Sequence, residues 1–315
     1  MTEINAIRSM ISIGMNISAE EIDGLGYSAE IFDAMLWAFQ AVASGAAEIP
    51  PRHYVSLVAS KGNGLVMPAY VRASPDGIYP DIYAVKLFND IPRNRDAGRA
   101  RFQGVTILFD IETGLPLATF DAAALTALRT GVSTAIATHR LARPVVTTVG
   151  LVGAGPQGLS TLRALRVLRD IHEVRVLERH FDAVAAVGLP TVACSSVAEV
   201  ADGAGIVVMA TNSEIPLLSL DMVAPETHVS ALGSYRPSMR ELSPDLVRES
   251  TVWVDNLASL QTSGDLIDVR PEVQLVGELL DSGESVSGRT LYKSIGSAAQ
   301  DALAAWTCYR LLDGK

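Results

Sequence analysis

The stretch that decides the fold is Val145-Val-Thr-Thr-Val-Gly-Leu-Val-Gly153-Ala-Gly155-Pro156-Gln157-Gly158. Its first eight residues are nearly all apolar, as in a strand buried on both faces of a parallel sheet. A Gly-x-Gly-x-x-Gly turn follows, and residues 159–168 then take up helical apolar spacing. Each glycine has a physical task in such a turn. Gly153 makes the tight bend, Gly155 lets backbone approach a pyrophosphate, and Gly158 permits close helix–strand packing. Unpaired amides at the helix N-terminus would face the diphosphate. Glu178 ends the next apolar run, 20 residues after Gly158, where an acid accepts ribose hydroxyls. This context predicts a dinucleotide site, against the alternative of a glycine-rich turn that serves packing alone. Glu178 favours NAD, whereas Arg179 or His180 would pair with the 2′-phosphate of NADP unless both are merely solvated.

Outward from this motif the chain alternates strand and helix. Strands are expected over 145–152, 174–177, 205–209 and 228–232, with 252–254 as the last, and Ser243-Pro244 caps a helix between them. Such alternation implies a doubly wound sheet. Thr211-Asn212-Ser213 follows the 205–209 strand at the edge where ligands dock in such sheets, though a plain polar loop reads equally well. Upstream, Asp121 caps an Ala-rich helix carrying Leu125, Leu128, Val132 and Ile136, closed by Arg143-Pro144. The first 120 residues are mixed α+β. Ser18 with Glu21 is a capping-box pattern, and Ser28 caps a helix with Ile31, Met35, Phe39 and Val42 on one face. Short β-type runs at 54–58, 65–71, 83–88, 105–109 and 117–120 suit hairpins of an antiparallel sheet. From Ser297 the tail reads as one amphipathic helix carrying Leu303, Trp306, Tyr309 and Leu312.

The composition narrows the function. A chain of 315 residues with 49% hydrophobic and 19% charged residues is long enough for two globular domains. Its 25 basic against 35 acidic residues give −10, which argues against nucleic acid or an anionic membrane as partner. Cys194 and Cys308 have no metal-ligand spacing and cannot build a disulfide framework, and no metal is expected. No secretory leader or membrane span is visible, so a cytoplasmic location is expected.

A dinucleotide domain needs a substrate site beside it. Only four lysines stand against twenty-one arginines, and Lys86 is unusual in lying inside Tyr83-Ala-Val-Lys-Leu-Phe88. By pattern alone such a lysine occupies a solvent-facing alternate position rather than a cleft. Arg52, after Pro50-Pro51, and Arg129, after the apolar face 125–128, read singly as surface arginines.

Four segments together carry a resemblance. They are Gly114-Leu-Pro-Leu-Ala-Thr-Phe-Asp-Ala-Ala-Ala-Leu-Thr-Ala-Leu-Arg-Thr130, the fingerprint with Pro-Gln-Gly, Gly233-Ser-Tyr-Arg-Pro-Ser-Met-Arg-Glu-Leu242 and Lys293-Ser-Ile-Gly-Ser-Ala-Ala-Gln-Asp301. In this order, over nearly the whole chain, they resemble the ornithine cyclodeaminase/mu-crystallin family. The resemblance implies an NAD(P)-dependent oxidoreductase built of two domains and assembled as a homodimer. Residues 1–122 with 293–315 would bind substrate and dimerise, and 123–292 would be a Rossmann-like α/β domain. By motif position Arg52, Lys86 and Arg129 would be the catalytic cationic cluster on the substrate's α-carboxylate, which reverses the pattern-only expectation for Lys86. Met67-Pro68 and Tyr235 would line the substrate pocket. Thr130, Gly153, Gly155, Pro156, Gln157, Gly158, Glu178, Arg179, Thr211, Ser234 and Gly296 would line the cofactor.

One departure matters. Members that cyclise ornithine resemble one another in an aspartate two residues after the glycine of Gly-x-Asp-x-Pro, and Tyr235 stands there in this chain. A tyrosine is a poor base at neutral pH and offers an ammonium group no counter-charge. The segment looks more like the mu-crystallin and pyrroline-2-carboxylate reductase branches. Reduction of a cyclic ketimine carboxylate is therefore expected, ahead of amino-acid cyclodeamination, alanine-type dehydrogenation, or nucleotide binding with little turnover. The histidines show no pairing pattern, which leaves Lys86 as the proton relay.

Overall fold

The computed structural model describes residues 14–94 and 96–314. They divide into two compact units. The first holds the described residues up to Ala41, then Gly45–Thr126, and the tail from Ala298. The second holds Val42–Ser44 and Ala127–Ser297.

The first unit is built on strands β1 (Met15–Ile17), β2 (Ala47–Glu48), β3 (His53–Leu57), β4 (Gly62–Val71), β5 (Ile82–Asp90), β6 (Phe102–Phe109) and β7 (Pro116–Asp121). Their order is β1-β7-β6-β5-β4-β2, with β3 also paired to β4. The pairings from β2 to β7 are antiparallel, whereas β1 joins β7 in parallel, so the sheet is mixed. In β5 the even positions Ile82, Ala84 and Lys86 are buried, and Tyr83 and Leu87 on the other face are exposed. The tail helix, Ala298–Asp313, packs on β4, β5 and β6. It departs from the one-faced amphipathic tail expected. Residues 298–305 are buried all round, because small alanines let the helix sit close on its neighbours, and Trp306, Tyr309 and Leu312 are only half-buried. The capping box at Ser18 is present, with Glu21 Oε2 accepting from the Ser18 amide at 2.8 Å.

The second unit holds β8 (Thr148–Val152), β9 (Glu173–Leu177), β10 (Thr191–Cys194), β11 (Ile206–Met209), β12 (His228–Ala231), β13 (Thr251–Val254), β14 (Val273–Leu275) and β15 (Thr290–Lys293). All are parallel, in the order β10-β9-β8-β11-β12-β15-β13-β14. The order reverses between β8 and β11, which makes a switch point at their carboxyl ends. Three expectations are corrected here. The 145–152 strand begins only at Thr148, and Val145 is exposed just after Pro144. The 252–254 strand is not the last, since β14 and β15 follow and β15 inserts between β12 and β13. Residues 191–194 form an edge strand that their partly polar pattern concealed. Gly150 is needed where the sheet meets a helix, because an added Cβ would lie 2.6 Å from the Val200 carbonyl oxygen.

A 20-residue helix, Ala122–Leu141, continues from β7. Asp121 caps it as expected, its Oδ1 accepting from the amides of Ala123 and Ala124 at 2.9 and 2.8 Å. No described helix is long and apolar enough to cross a membrane. Cys194 and Cys308 are buried free thiols.

Candidate active site

The switch-point edge of the second unit carries the nucleotide fingerprint. Gly153 takes φ +101°, and an added Cβ would strike the Ala210 carbonyl oxygen. Gly158 is closed in the same way by the carbonyl of Gly153, so helix and strand approach as the motif requires. At Gly155, by contrast, an added Cβ meets nothing within 4 Å, and the residue is exposed. Gly155 is the N-cap of the Pro156–Leu168 helix and lends it no side chain, and Pro156 has no amide hydrogen to satisfy. The following amides therefore remain without a side-chain cap beside an open surface, which suits an anion. Gln157 is half-buried there, while Glu178 and Arg179 are exposed just past β9. These residues fit a bound dinucleotide. Thr130 adds a buried hydroxyl with no hydrogen-bond partner among the described residues.

The loops after β11 and β12 meet this edge. Thr211 is half-buried and Ser234 is buried, its hydroxyl donating to the Met239 carbonyl at 2.7 Å. Gly296 is buried after β15 with φ +76°, and an added Cβ would come within 2.7 Å of both terminal nitrogens of Arg129. Arg129 is thus buried against a glycine backbone, not on the surface as its isolated pattern suggested. Asp255 secures that turn. Its Oδ2 accepts from the Ser294 hydroxyl at 2.6 Å and from the Gly296 amide at 2.9 Å.

In the first unit Lys86 is 3% exposed, which corrects the solvent-facing position its pattern suggested. Its Nζ lies 2.6 Å from Oδ2 of Asp301, which is 2% exposed, and donates to Thr126 Oγ1 at 3.4 Å. The cation faces the tail helix, whose first turn supplies Asp301. A lone buried ammonium would be very costly, and the pair compensates it. Met67 is the cross-strand partner of Lys86 on β4, with Thr106 opposite on β6. Pro68 and Arg52 are half-buried. Thr126 and Arg129 stand three residues apart on one helix, hence on one face.

Tyr235 is half-buried. Its hydroxyl accepts from Arg236 Nη2 at 3.0 Å, and that guanidinium lies 5.0 Å from the ring centroid. A cation therefore accompanies Tyr235, the position at which the resemblance led one to expect an acid in a chain that cyclises ornithine.

Sequence reasoning passed over the buried acids Asp301, Asp255, Asp265 and Glu241. Asp301 had a signal, as the one acid amid the alanines that open the tail helix. Glu241 and Asp255 sit in loops and Asp265 in the short helix Gly264–Ile267, where an acid reads as solvated. It also passed over His228, whose ring nitrogens meet Thr290 Oγ1 at 2.8 Å and Ser230 Oγ at 2.9 Å. Among the described residues no group of acids, histidines and cysteines could hold a metal.

Comparison with known proteins identifies the family and the fold. The ornithine cyclodeaminase/mu-crystallin family matches residues 14–315. The alanine dehydrogenase of Archaeoglobus fulgidus is 31% identical over 93% of this chain and 93% of its own length. Mouse ketimine reductase mu-crystallin is 30% identical over 93% and 96%. The structure of Thermococcus litoralis Δ1-pyrroline-2-carboxylate reductase, in complex with NADH and L-proline, superposes with a TM-score of 0.85. It is 25% identical and covers 95% of this chain and 98% of that one.

Proposed function

The chain belongs to the ornithine cyclodeaminase/mu-crystallin family, and on that premise we propose that it is an NAD(P)-dependent reductase of cyclic ketimine carboxylates. Δ1-Pyrroline-2-carboxylate and its six-membered homologue Δ1-piperideine-2-carboxylate are the substrates this assigns, with proline or pipecolate as product. The observation that carries the choice of reaction is the Tyr235–Arg236 pair. A free side-chain ammonium, which ornithine brings, would meet a guanidinium there instead of a carboxylate. A ring imine needs no such counter-charge.

NAD(P)H, when bound, supplies the hydride. The first unit would provide substrate binding and dimerisation, the second nucleotide binding. Gly153–Gly158 and the uncapped amides that follow would hold the pyrophosphate, with Thr130, Thr211, Ser234 and Gly296 along the same ligand. Glu178 past β9 favours the unphosphorylated ribose of NAD, with Arg179 beside it as the group that admits NADP. Arg129 offers a planar fork for a bidentate grip on the substrate carboxylate, and Lys86 and Arg52 add positive charge. Lys86 also carries a proton that the ring nitrogen can take. Asp301 holds the Lys86 ammonium in one position while this happens, so orientation supplies much of the acceleration. Met67 and Tyr235 would bound the ring.

A homodimer completes this assignment. On the face of the first sheet opposite the tail helix, Tyr83 and Leu87 of β5 are exposed, and Tyr83 stacks on Phe109 of β6 at 5.3 Å. Tyr54 and Val55 of β3 are exposed as well. A second copy is the partner we assign to this apolar surface.

Steady-state assays test the reaction. Both cyclic imines with NADH or NADPH are compared with ornithine and with alanine plus NAD. Faster consumption of a cyclic imine is expected. Ammonia release from ornithine at a greater rate, faster oxidation of alanine, or nucleotide binding without turnover on the whole panel would each overturn it.

A further inference from the structure

The loops after β11 and β12 are tied together by one buried carboxylate that the reaction itself does not use. Glu241 Oε1 accepts from the Thr211 amide at 2.7 Å and from the Thr211 hydroxyl at 2.9 Å, and Oε2 accepts from the Gly233 amide at 2.6 Å. The loops approach so closely that a Cβ on Gly233 would collide with the Thr211 carbonyl oxygen and lie 2.6 Å from Glu241 Oε1. Glu241 is held from behind. Asp265 Oδ1 accepts from the amides of Glu241 and Leu242 at 2.7 and 3.1 Å. Lys293 Nζ lies 3.3 Å from Asp265 Oδ2 and donates to the Ala231 carbonyl at 3.1 Å, which returns the chain of contacts to the end of β12. The Asp265 amide donates to the Ser234 hydroxyl at 3.2 Å. All of these groups are buried except Thr211.

Helix and sheet packing alone would not call for this arrangement. Three donors from two loops converge on one side chain, and only a carboxylate offers acceptors on both of its ends. The loops it joins stand on the β11–β12 side of the switch point. Gly153–Gly158 and Glu178 stand at β8 and β9, the side that takes the adenosine half of a dinucleotide. We propose that Glu241 is a positioning residue for the nicotinamide half of the cofactor, setting the spacing of the Thr211 and Gly233–Ser234 loops. The proposal rests on the nucleotide-binding function assigned above. Asp265 and Lys293 fix Glu241 in turn, so the spacing is transmitted from the sheet and is not left to the loops.

The test is a titration of wild type and Glu241→Gln with NADH and, separately, with ADP, followed by protein fluorescence, alongside thermal unfolding. The glutamine keeps size and polarity but turns an N–H₂ towards one of the backbone amides. Expected is NADH binding weaker by about tenfold or more with ADP affinity unchanged within about threefold, the equilibrium cost of one buried amide left without its acceptor. A merely structural residue would lower the melting temperature and leave both affinities alone, or weaken both together; either result overturns the proposal. Wild type failing to bind NADH would overturn the nucleotide-binding function as well. If the glutamine variant does not fold, Glu241→Asp is titrated instead. It keeps the charge but is one carbon too short to reach both loops, and the same split between NADH and ADP is expected, with equal affinities again decisive against it.

Discussion

Removing one member of the Lys86–Asp301 pair and then both separates what the pair does for stability from what it does for activity. The two charges lie 2.6 Å apart, at 3% and 2% exposure, between β5 and the tail helix. Lys86→Met keeps the apolar stem but takes the opposite charge from a buried carboxylate, and Asp301→Leu takes it from a buried ammonium. Each single change is expected to cost about 3–5 kcal/mol, the usual penalty for an uncompensated buried ion. The double variant leaves no charge and presents two apolar side chains of similar size, so its stability should return to within about 1 kcal/mol of wild type or exceed it. Urea unfolding of the four proteins gives the coupling energy directly. Turnover of the cyclic imine should stay lost in all three variants, because the double change restores packing and not the cation. A double variant as unstable as the two singles combined would refute the argument that the cost lies in unpaired burial. Recovery of turnover in the double variant would remove Lys86 from the substrate site.

Three further outcomes follow from the geometry. Gly296→Ala places a methyl against the Arg129 guanidinium at a φ of +76°, so KM for the imine should rise by about tenfold or more while ADP affinity holds; an unchanged KM would detach Arg129 from the substrate. Glu178→Ser removes the acid past β9, and the ratio of kcat/KM for NADPH over NADH should rise by about tenfold, an effect of about 1.4 kcal/mol. No change in that ratio would mean that the acid does not read the ribose. His228 is fully buried, and burial, with Arg169 adding to it, lowers its pKa from 6.5 to about 3. The folded protein keeps the ring neutral while the unfolded chain takes up a proton below pH 6.5, so this stability is complete above that pH. It is lost on acidification towards pH 3 at up to about 1.4 kcal/mol per unit. The gap in stability between wild type and His228→Asn should shrink over that window, and a constant gap would contradict a neutral buried ring.

The local signals in the chain were sufficient for much of the architecture. A mostly apolar run, three spaced glycines and an acid 20 residues on describe a strand, a turn and a helix start, because each constraint acts between neighbours along the backbone. Ser18–Glu21 and Asp121 likewise mark helix starts, since capping is decided within three residues. Long-range insertion is different. That β15 lies between β12 and β13 depends on strands roughly forty residues apart competing for the same edge, and no local pattern encodes the winner. The charged site shows the same division. Lys86 alone, in an alternating strand, reads as solvent-facing; folding brings Asp301, 215 residues further along, onto it, and burial becomes tolerable only through that contact. Glu241, Asp255 and Asp265 were silent for the same reason. Their donors lie on other loops, and an acid outside an apolar run is assigned to water until the tertiary structure takes the water away.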